Sequence, residues 1–141
     1  MEQTLNLTAL LEEAETIAVV GCSGRPSRTS HGVASYLQQQ GYRVIPVNPN
    51  YGEVLGERCY PDLPSVPADI RLDIVNIFRA PEHTADMVRS AVERAKQTGE
   101  RPVVWTQLGV SSDEAKQLAA AAGLPYVENK CIMVEHQRRL R

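Results

Sequence analysis

The stretch from Gly21 to His31 combines the residue types that proteins use to bind phosphate. It reads Gly-Cys-Ser-Gly-Arg-Pro-Ser-Arg-Thr-Ser-His and follows an apolar run at positions 17–20. Its glycines allow the backbone to approach a ligand closely, its serines offer hydroxyl donors, and its two arginines offer charge-assisted contacts. We therefore predict an anion-binding loop, with these candidate residues: Gly21, Cys22, Ser23, Arg25, Ser27 and Arg28.

The composition of this loop has a second interpretation, an ordinary surface turn rich in glycine, serine and proline. The loop matches neither the G-x-G-x-x-G nor the G-x-x-x-x-G-K-[ST] pattern of nucleotide-binding loops. Its position favours binding, because the turn after the first strand of a doubly wound sheet lies beside the ligand crevice. The helix that follows would add unpaired N–H groups. Either Arg25 or Arg28 could instead be an ordinary solvated charge on a surface loop.

The second predicted strand ends in Val47, Asn48 and Pro49, where NAD-binding domains usually carry an acidic residue for the ribose. Asparagine can hydrogen-bond a ribose or an adenine edge without repelling a nearby phosphate. A nucleotide with an extra phosphate on its ribose is therefore favoured over NAD. Coenzyme A and NADP both meet this description, so these three residues leave the two ligands open.

Five short runs, rich in β-branched and apolar residues, predict the strands that must position these side chains. They span residues 17–22, 43–48, 73–78, 102–107 and 125–128. Pro46 lies inside the second run and cannot donate to a strand ladder, which predicts a bulge or an unpaired edge there.

Between these runs the apolar residues recur with helical spacing, so each segment presents one apolar stripe to a sheet. The two clearest stripes are Val88, Ala91, Val92, Ala95 and Ala115, Leu118, Ala119, Ala122, and a leading helix carries Leu7, Leu10, Leu11 and Ala14. The predicted helix boundaries are a start at Pro81, a capping box of Ser111 with Glu114, and stops at Gly41 and Gly123. The alternation of strands and helices predicts the α/β class, with a doubly wound parallel sheet of about five strands and helices on both faces.

Length and charge restrict the function. The chain has 141 residues, 43% of them apolar, with 15 Lys and Arg against 17 Asp and Glu. We expect one domain over residues 1–141, without a separate catalytic domain. The net charge of −2 argues against sequence-independent binding to nucleic acid or acidic membranes. We see no signal peptide or membrane span, and we therefore expect a cytoplasmic protein.

The cysteines and histidines give no sign of catalysis or metal binding. Cys22, Cys59 and Cys131 are widely spaced, which predicts free thiols and neither a disulfide framework nor a zinc site. The three histidines, His31, His83 and His136, show no arrangement with a nucleophile and an orienting group. We predict no catalytic residue and no metal ligand.

An ordered series of short blocks from about residue 16 to the C-terminus resembles the stand-alone CoA-binding domain family. That family is similar to the nucleotide-binding domain of the succinyl-CoA synthetase α-subunit. The blocks are Gly21-Cys22-Ser23, Tyr42–Pro49, Gly56–Tyr60, Phe78-Arg79, Trp105–Gly109 and Lys130–His136.

The resemblance implies a Rossmann-like domain that binds coenzyme A (CoA). By analogy, the loop at Gly21–Arg28 would hold phosphates and Val47–Pro49 would flank the adenosine. Phe78 and Arg79 would border the nucleotide, while Gln107 and Gly109 would lie near the path of the pantetheine arm. Two alternatives stay open here: Phe78 as a core residue, and Arg79 paired with Glu82 or Asp86.

Cys22 stands where relatives often show a small residue. A thiol facing a helix N-terminus and two arginines would have a lowered pKa, and we hypothesise that it forms a mixed disulfide with the CoA thiol. The length of the pantetheine arm argues against this, because it separates the CoA thiol from the phosphates. Cys131 is expected to be buried as a small apolar residue.

These observations predict a binding module for CoA or an acyl-CoA that performs no chemistry of its own, with a role as sensor or carrier as a further hypothesis. The alternative is a small NAD(P)-binding regulator or oxidoreductase on the same fold. A third interpretation is a partner that docks on a larger acyl-CoA enzyme through its C-terminal arginines. A homodimer also stays open.

Overall fold

A five-stranded parallel sheet forms the centre of the computed structural model, which describes residues 5–140. In chain order the strands are β1 (Thr16–Val20), β2 (Arg43–Val47), β3 (Glu53–Val54), β4 (Glu57–Arg58), β5 (Ile74–Ile77), β6 (Val103–Thr106) and β7 (Tyr126–Val127). The sheet has the order β2-β1-β5-β6-β7, and all its pairings are parallel. The predicted Rossmann-like α/β fold is confirmed. The antiparallel pair β3–β4 was not predicted.

Helices cover both faces of the sheet. They are α1 (Leu7–Glu13), α2 (Thr29–Gln39), α3 (Pro81–Thr98), α4 (Asp113–Ala121) and α5 (Ile132–Leu140), with a 3-10 turn at Leu63–Ser65. Buried residues of α3 and α4 share one core cluster with the 3-10 turn, and those of α1, α2 and α5 share the other. Among residues 5–140, no helix combines the length and apolar character needed to cross a membrane.

Strand β1 is buried along its whole length because both of its faces are covered. Ile17 and Val19 belong to the cluster with α1, α2 and α5, while Ala18 and Val20 belong to the cluster with α3 and α4. This alternation follows from the two-residue period of a strand. The loop after β1 lies at the carboxyl edge of the sheet, between the strand ends of β2 and β5.

Pro46 lies on an edge strand, as predicted. The N–H of Arg43 donates to the Glu15 carbonyl at 2.8 Å, and the Val47 carbonyl accepts from the N–H of Gly21 at 2.8 Å, so these residues of β2 face β1. Pro46, one position from Val47, faces the opposite way. Its carbonyl accepts from the N–H of Tyr60 at 3.1 Å, and its missing N–H removes no bond to β1.

The predicted capping box at Ser111 is wrong by one residue. Ser112 is the N-cap of α4, and its Oγ accepts from the N–H of Ala115 at 3.1 Å. Ser111 is instead hydrogen-bonded to the Tyr126 hydroxyl at 2.8 Å and donates to Glu128 at 2.9 Å. These contacts to the segment around β7 are long-range, and the local sequence pattern does not contain them.

A buried ion pair fixes the connection between the 3-10 turn and β5. The Nε of Arg94 donates to Glu100 at 3.0 Å, and both side chains are less than a tenth exposed. The remaining Arg94 nitrogens donate to the carbonyls of Val66, Pro67 and Ile70. Sequence periodicity missed this pair because a buried arginine on an apolar stripe is unusual.

We predict that Glu100→Ala lowers the free energy of unfolding by about 3–5 kcal/mol, because it leaves the buried Arg94 charge unpaired. Urea-induced unfolding measures the change. The control is Glu114→Ala, which removes an exposed partner of Arg89 and should cost about 1 kcal/mol or less. Equal losses in the two variants would contradict the prediction.

Candidate functional site

The predicted binding residues converge at the carboxyl edge of the sheet, where they line a cleft of about 640 Å³ that we call the central cleft. The loops after β1, β2 and β5 meet there. Eight of the predicted residues line it: Gly21, Ser23, Arg25, Ser27, Arg28, Asn48, Phe78 and Arg79. Ser30, which the sequence indicated as a hydroxyl donor of the loop, also lines it, together with three residues that sequence reasoning did not assign: Thr29, Asn50 and Tyr51.

Internal hydrogen bonds hold the loop after β1 in shape. The N–H of Ser23 donates to Ser30 Oγ at 3.0 Å, and the N–H of Arg25 donates to Ser23 Oγ at 3.0 Å. Both hydroxyl oxygens thus act as acceptors within the protein. Since each hydroxyl also carries a hydrogen, each can still donate to an anion in the cleft.

Asn48 closes the loop from the side of β2. Its Nδ2 donates to the Cys22 carbonyl at 3.1 Å, and its Oδ1 accepts from the N–H of Asn50 at 2.9 Å. The side chain therefore joins the two loops. We had predicted that it meets a ribose or an adenine edge, and the structure adds this bracing role.

Two glycines make the close packing of the loop possible. Gly21 has φ +83°, and a Cβ there would lie 2.5 Å from the Phe78 carbonyl oxygen. A Cβ at Gly24 would lie 2.6 Å from a ring carbon of Tyr51. Sequence reasoning assigned these glycines to ligand approach, whereas here they accommodate the protein's own backbone and an aromatic ring.

The electrostatics of the central cleft favour an anion. Helix α2 starts at its wall, and among the described residues no side chain caps the helix N-terminus at Arg28. The first N–H groups and the positive end of the helix dipole are therefore available to a ligand. Arg25, Arg28 and Arg79 add positive charge, and the described residues that line the cleft include no Asp or Glu.

A smaller, mostly apolar cleft of about 130 Å³, the apolar cleft, adjoins the central one. The predicted residues Val47 and Pro49 line it. Leu63 and Met87 complete its apolar wall, and sequence reasoning missed both because they come from distant parts of the chain. The carboxylate of Asp62 is also in the wall, where its Oδ1 accepts from both the N–H and the hydroxyl of Ser65.

A third cleft of about 350 Å³, the side cleft, lies on the other side of the central one. Its lining includes Phe78, Arg79, Gln107, Leu108, Val110 and Cys131. Gln107 directly follows β6 and lines this cleft. Gly109 lines none of the three clefts, because it turns away with φ +73° and its N–H donates to Asn129 at 3.0 Å.

Among residues 5–140, Arg79 is the one that lines all three clefts. Within residues 5–140 it forms no ion pair with Glu82 or Asp86, and Asp86 instead binds Arg89 at 2.6 Å. The Nε of Arg79 is buried without a hydrogen-bond partner in the described part of the chain. Buried donors are rarely left unpaired, so this nitrogen favours an acceptor supplied by a ligand.

The hypothesis of a reactive Cys22 is wrong. The side chain is fully buried in the core cluster beneath α2, and it lines none of the three clefts. Burial raises the pKa of Cys22 to about 12, with a smaller contribution from Cys59, where a lowered pKa was predicted. Cys22 takes part in the loop through its backbone carbonyl, which accepts from Asn48 Nδ2. Cys131, expected to be buried, is only partly so: it packs against the same core cluster and also lines the side cleft.

Comparisons with known proteins agree with this geometry. The chain is 38% identical over 127 residues to "Uncharacterized protein YneT" of Bacillus subtilis (strain 168), covering 90% of this chain and 89% of that protein. The structure of a hypothetical protein from Pyrococcus horikoshii OT3 superposes with a TM-score of 0.87 at 38% identity, covering both chains completely.

A larger enzyme shares part of the sequence. The chain is 25% identical over 104 residues to an ADP-forming acetate–CoA ligase (II) of Archaeoglobus fulgidus, covering 72% of this chain and 15% of the ligase. The family model described as a CoA binding domain matches residues 15–137, which include every residue lining the three clefts. The chain is thus a member of the CoA-binding domain family, related to a small part of a much longer CoA ligase.

Proposed function

We propose that the protein binds CoA or an acyl-CoA across the three joined clefts and does not transform it. The observation that carries this proposal is the meeting of an apolar, a cationic and a second, largely apolar cleft at Arg79. CoA carries groups of matching character in the same order along its length: an adenine, a set of phosphates and a pantetheine arm.

The lining of each cleft supports this assignment. The apolar cleft is lined by Val47, Leu63 and Met87, whose apolar side chains can pack against a flat base. The central cleft is the largest of the three and holds the helix N-terminus, the serine hydroxyls and the arginines that phosphates require. The side cleft leads away past Phe78 and Gln107, in the direction that a pantetheine arm would take.

Arg79 gives a direct check of fit. Its buried Nε lacks an acceptor in the described chain, and a phosphate oxygen in the central cleft would supply one. When bound, CoA contributes a thiol that can carry an acyl group. The protein's part in this proposal is to bind the nucleotide end and direct the arm.

The proposed lack of chemistry is supported by the lining of the central cleft. The described residues there include no His, Cys, Asp or Glu, the side chains that most often serve as general acids, bases or nucleophiles. We extend the proposal to a sensor or carrier of CoA, a role that requires binding and release alone.

A panel of ligands in a thermal-shift assay tests binding. CoA and acetyl-CoA at about 100 times Kd should each add roughly 2.7 kcal/mol of stability and raise Tm by several degrees. NAD should leave Tm unchanged, because the end of β2 has no carboxylate for its ribose. Dephospho-CoA should bind more weakly, by about 1.5–3 kcal/mol if its missing phosphate accepts a charge-assisted hydrogen bond.

The same preparations test the lack of turnover. Chromatography should show acetyl-CoA unchanged after incubation with the protein. The proposal would be wrong if acetyl-CoA were consumed and the activity disappeared in Arg28→Ala. A rise in Tm with NAD and none with CoA would overturn the ligand assignment.

Arg79→Met should weaken CoA binding roughly 10- to 100-fold in isothermal titration calorimetry, because a charged hydrogen bond to phosphate contributes about 1.5–3 kcal/mol. Methionine keeps the apolar stem that packs near Gly21. The control is Arg71→Met, which removes an exposed arginine outside the three clefts. Equal affinities for the two variants would contradict a phosphate contact by Arg79.

A further inference from the structure

The apolar cleft contains one acidic side chain that phosphate binding does not explain. Asp62 lies in its wall between Pro61 and Leu63, and among the described residues it is the one carboxylate that lines any of the three clefts. Because like charges repel, a carboxylate at this end keeps the phosphates of a ligand in the central cleft. The group that enters the apolar cleft must be one that a carboxylate can accept a hydrogen bond from.

The 3-10 turn that follows Asp62 fixes the orientation of its side chain. Asp62 is the N-cap of this turn, Leu63–Ser65. Its Oδ1 accepts from the N–H of Ser65 at 2.9 Å and from the Ser65 hydroxyl at 2.6 Å. Its other oxygen, Oδ2, forms no hydrogen bond to any residue within 5–140. The carboxylate is therefore held by one oxygen and has the second open to a further donor.

The nearest candidate partner within the cleft leaves this oxygen unpaired. Arg79 is the one cation in the lining of the apolar cleft, yet it forms no ion pair with Asp62 in the described part of the chain. Each charge can thus meet its own group of a ligand. Arg79 also borders the central cleft, where the phosphates are expected, whereas Asp62 lines the apolar cleft alone.

The rest of the apolar cleft suits the face of a flat ring whose edge carries a donor. Its volume is about 130 Å³, similar to the roughly 150 Å³ of a protein cavity that holds benzene. An ionised carboxylate has no hydrogen to donate, so it recognises N–H groups and disfavours oxygens. Adenine carries an amino group at position 6 of its ring. Hypoxanthine carries an oxygen at the same position.

We propose that Asp62 determines which base the site takes, by accepting a hydrogen bond from the 6-amino group of adenine through its Oδ2. This inference rests on the proposed binding of CoA in the three clefts. It adds the residue that distinguishes the base and that sets the direction of the ligand, with its amino edge toward Asp62 and its phosphates toward Arg79.

The variant Asp62→Asn separates the charge of this side chain from its part in the fold. Asparagine is as good an N-cap as aspartate, so the turn is kept. Because the backbone N–H of Ser65 can only donate, the amide oxygen must take the place of Oδ1, and the amide nitrogen takes the place of Oδ2. The open position then presents a donor, which opposes the 6-amino group of adenine and suits the 6-oxygen of hypoxanthine.

Isothermal titration calorimetry with CoA and with its hypoxanthine analogue measures the preference for the base. The unsubstituted protein should bind CoA roughly tenfold more tightly than the analogue, the lower end of the range for a hydrogen bond to a charged group, because Asp62 is exposed on its outer side. Asp62→Asn should lower this ratio about tenfold or more. The control is Asp69→Asn, which changes an exposed acid outside the three clefts and should keep the ratio.

The ratio of the two affinities distinguishes recognition from a structural role, since a distorted turn would weaken both ligands equally. An unchanged ratio in Asp62→Asn, whatever the absolute affinities, would overturn the inference. If the unsubstituted protein binds CoA and the analogue equally well, the inference is wrong and the binding proposal stands. If neither ligand binds, both proposals are wrong.

Discussion

The site depends on the close meeting of three strand ends at Gly21. Its N–H donates to the Val47 carbonyl at 2.8 Å, and its α-carbon is so near the Phe78 carbonyl that a side chain at position 21 would collide with it. The N–H of Phe78 in turn donates to the Val20 carbonyl at 2.8 Å. Because β1, β2 and β5 converge on one residue with a positive φ, the loops that follow them must share one space. That space is the central cleft.

Around Gly21, the apolar cleft lies on one side of the positively charged central cleft, and the side cleft lies on the other. The apolar cleft lies under the end of β2, the serine-rich loop and the helix N-terminus lie after β1, and the side cleft lies between β5 and β6. Arg79 follows β5 directly and borders all three. A single arginine can hold this position because the chain at Phe78 is already fixed by its contacts with β1 and Gly21.

Sequence reasoning predicted what local patterns determine: the apolar strand runs, the edge position of Pro46 and the position of the loop after β1. It failed where contacts distant in the chain decide. Cys22 looked exposed in a polar loop, yet after the turn at Gly21, which has φ +83°, its side chain packs in the core cluster of Ile17 and Val19. The pair of Arg94 with Glu100 depends on a turn nearly thirty residues away. The ring of Tyr51 can lie in the site because Gly24 has no side chain to occupy that space.

The central claim is that a phosphate of CoA occupies the space beside the N-terminus of α2 and accepts from Arg79. A crystal structure of the protein grown with CoA measures this directly. We expect density for the pyrophosphate between Ser23 and Arg79, with a phosphate oxygen about 2.7–2.9 Å from the Arg79 Nε. CoA bound elsewhere on the surface, or bound with the Arg79 Nε still without an acceptor, would contradict it.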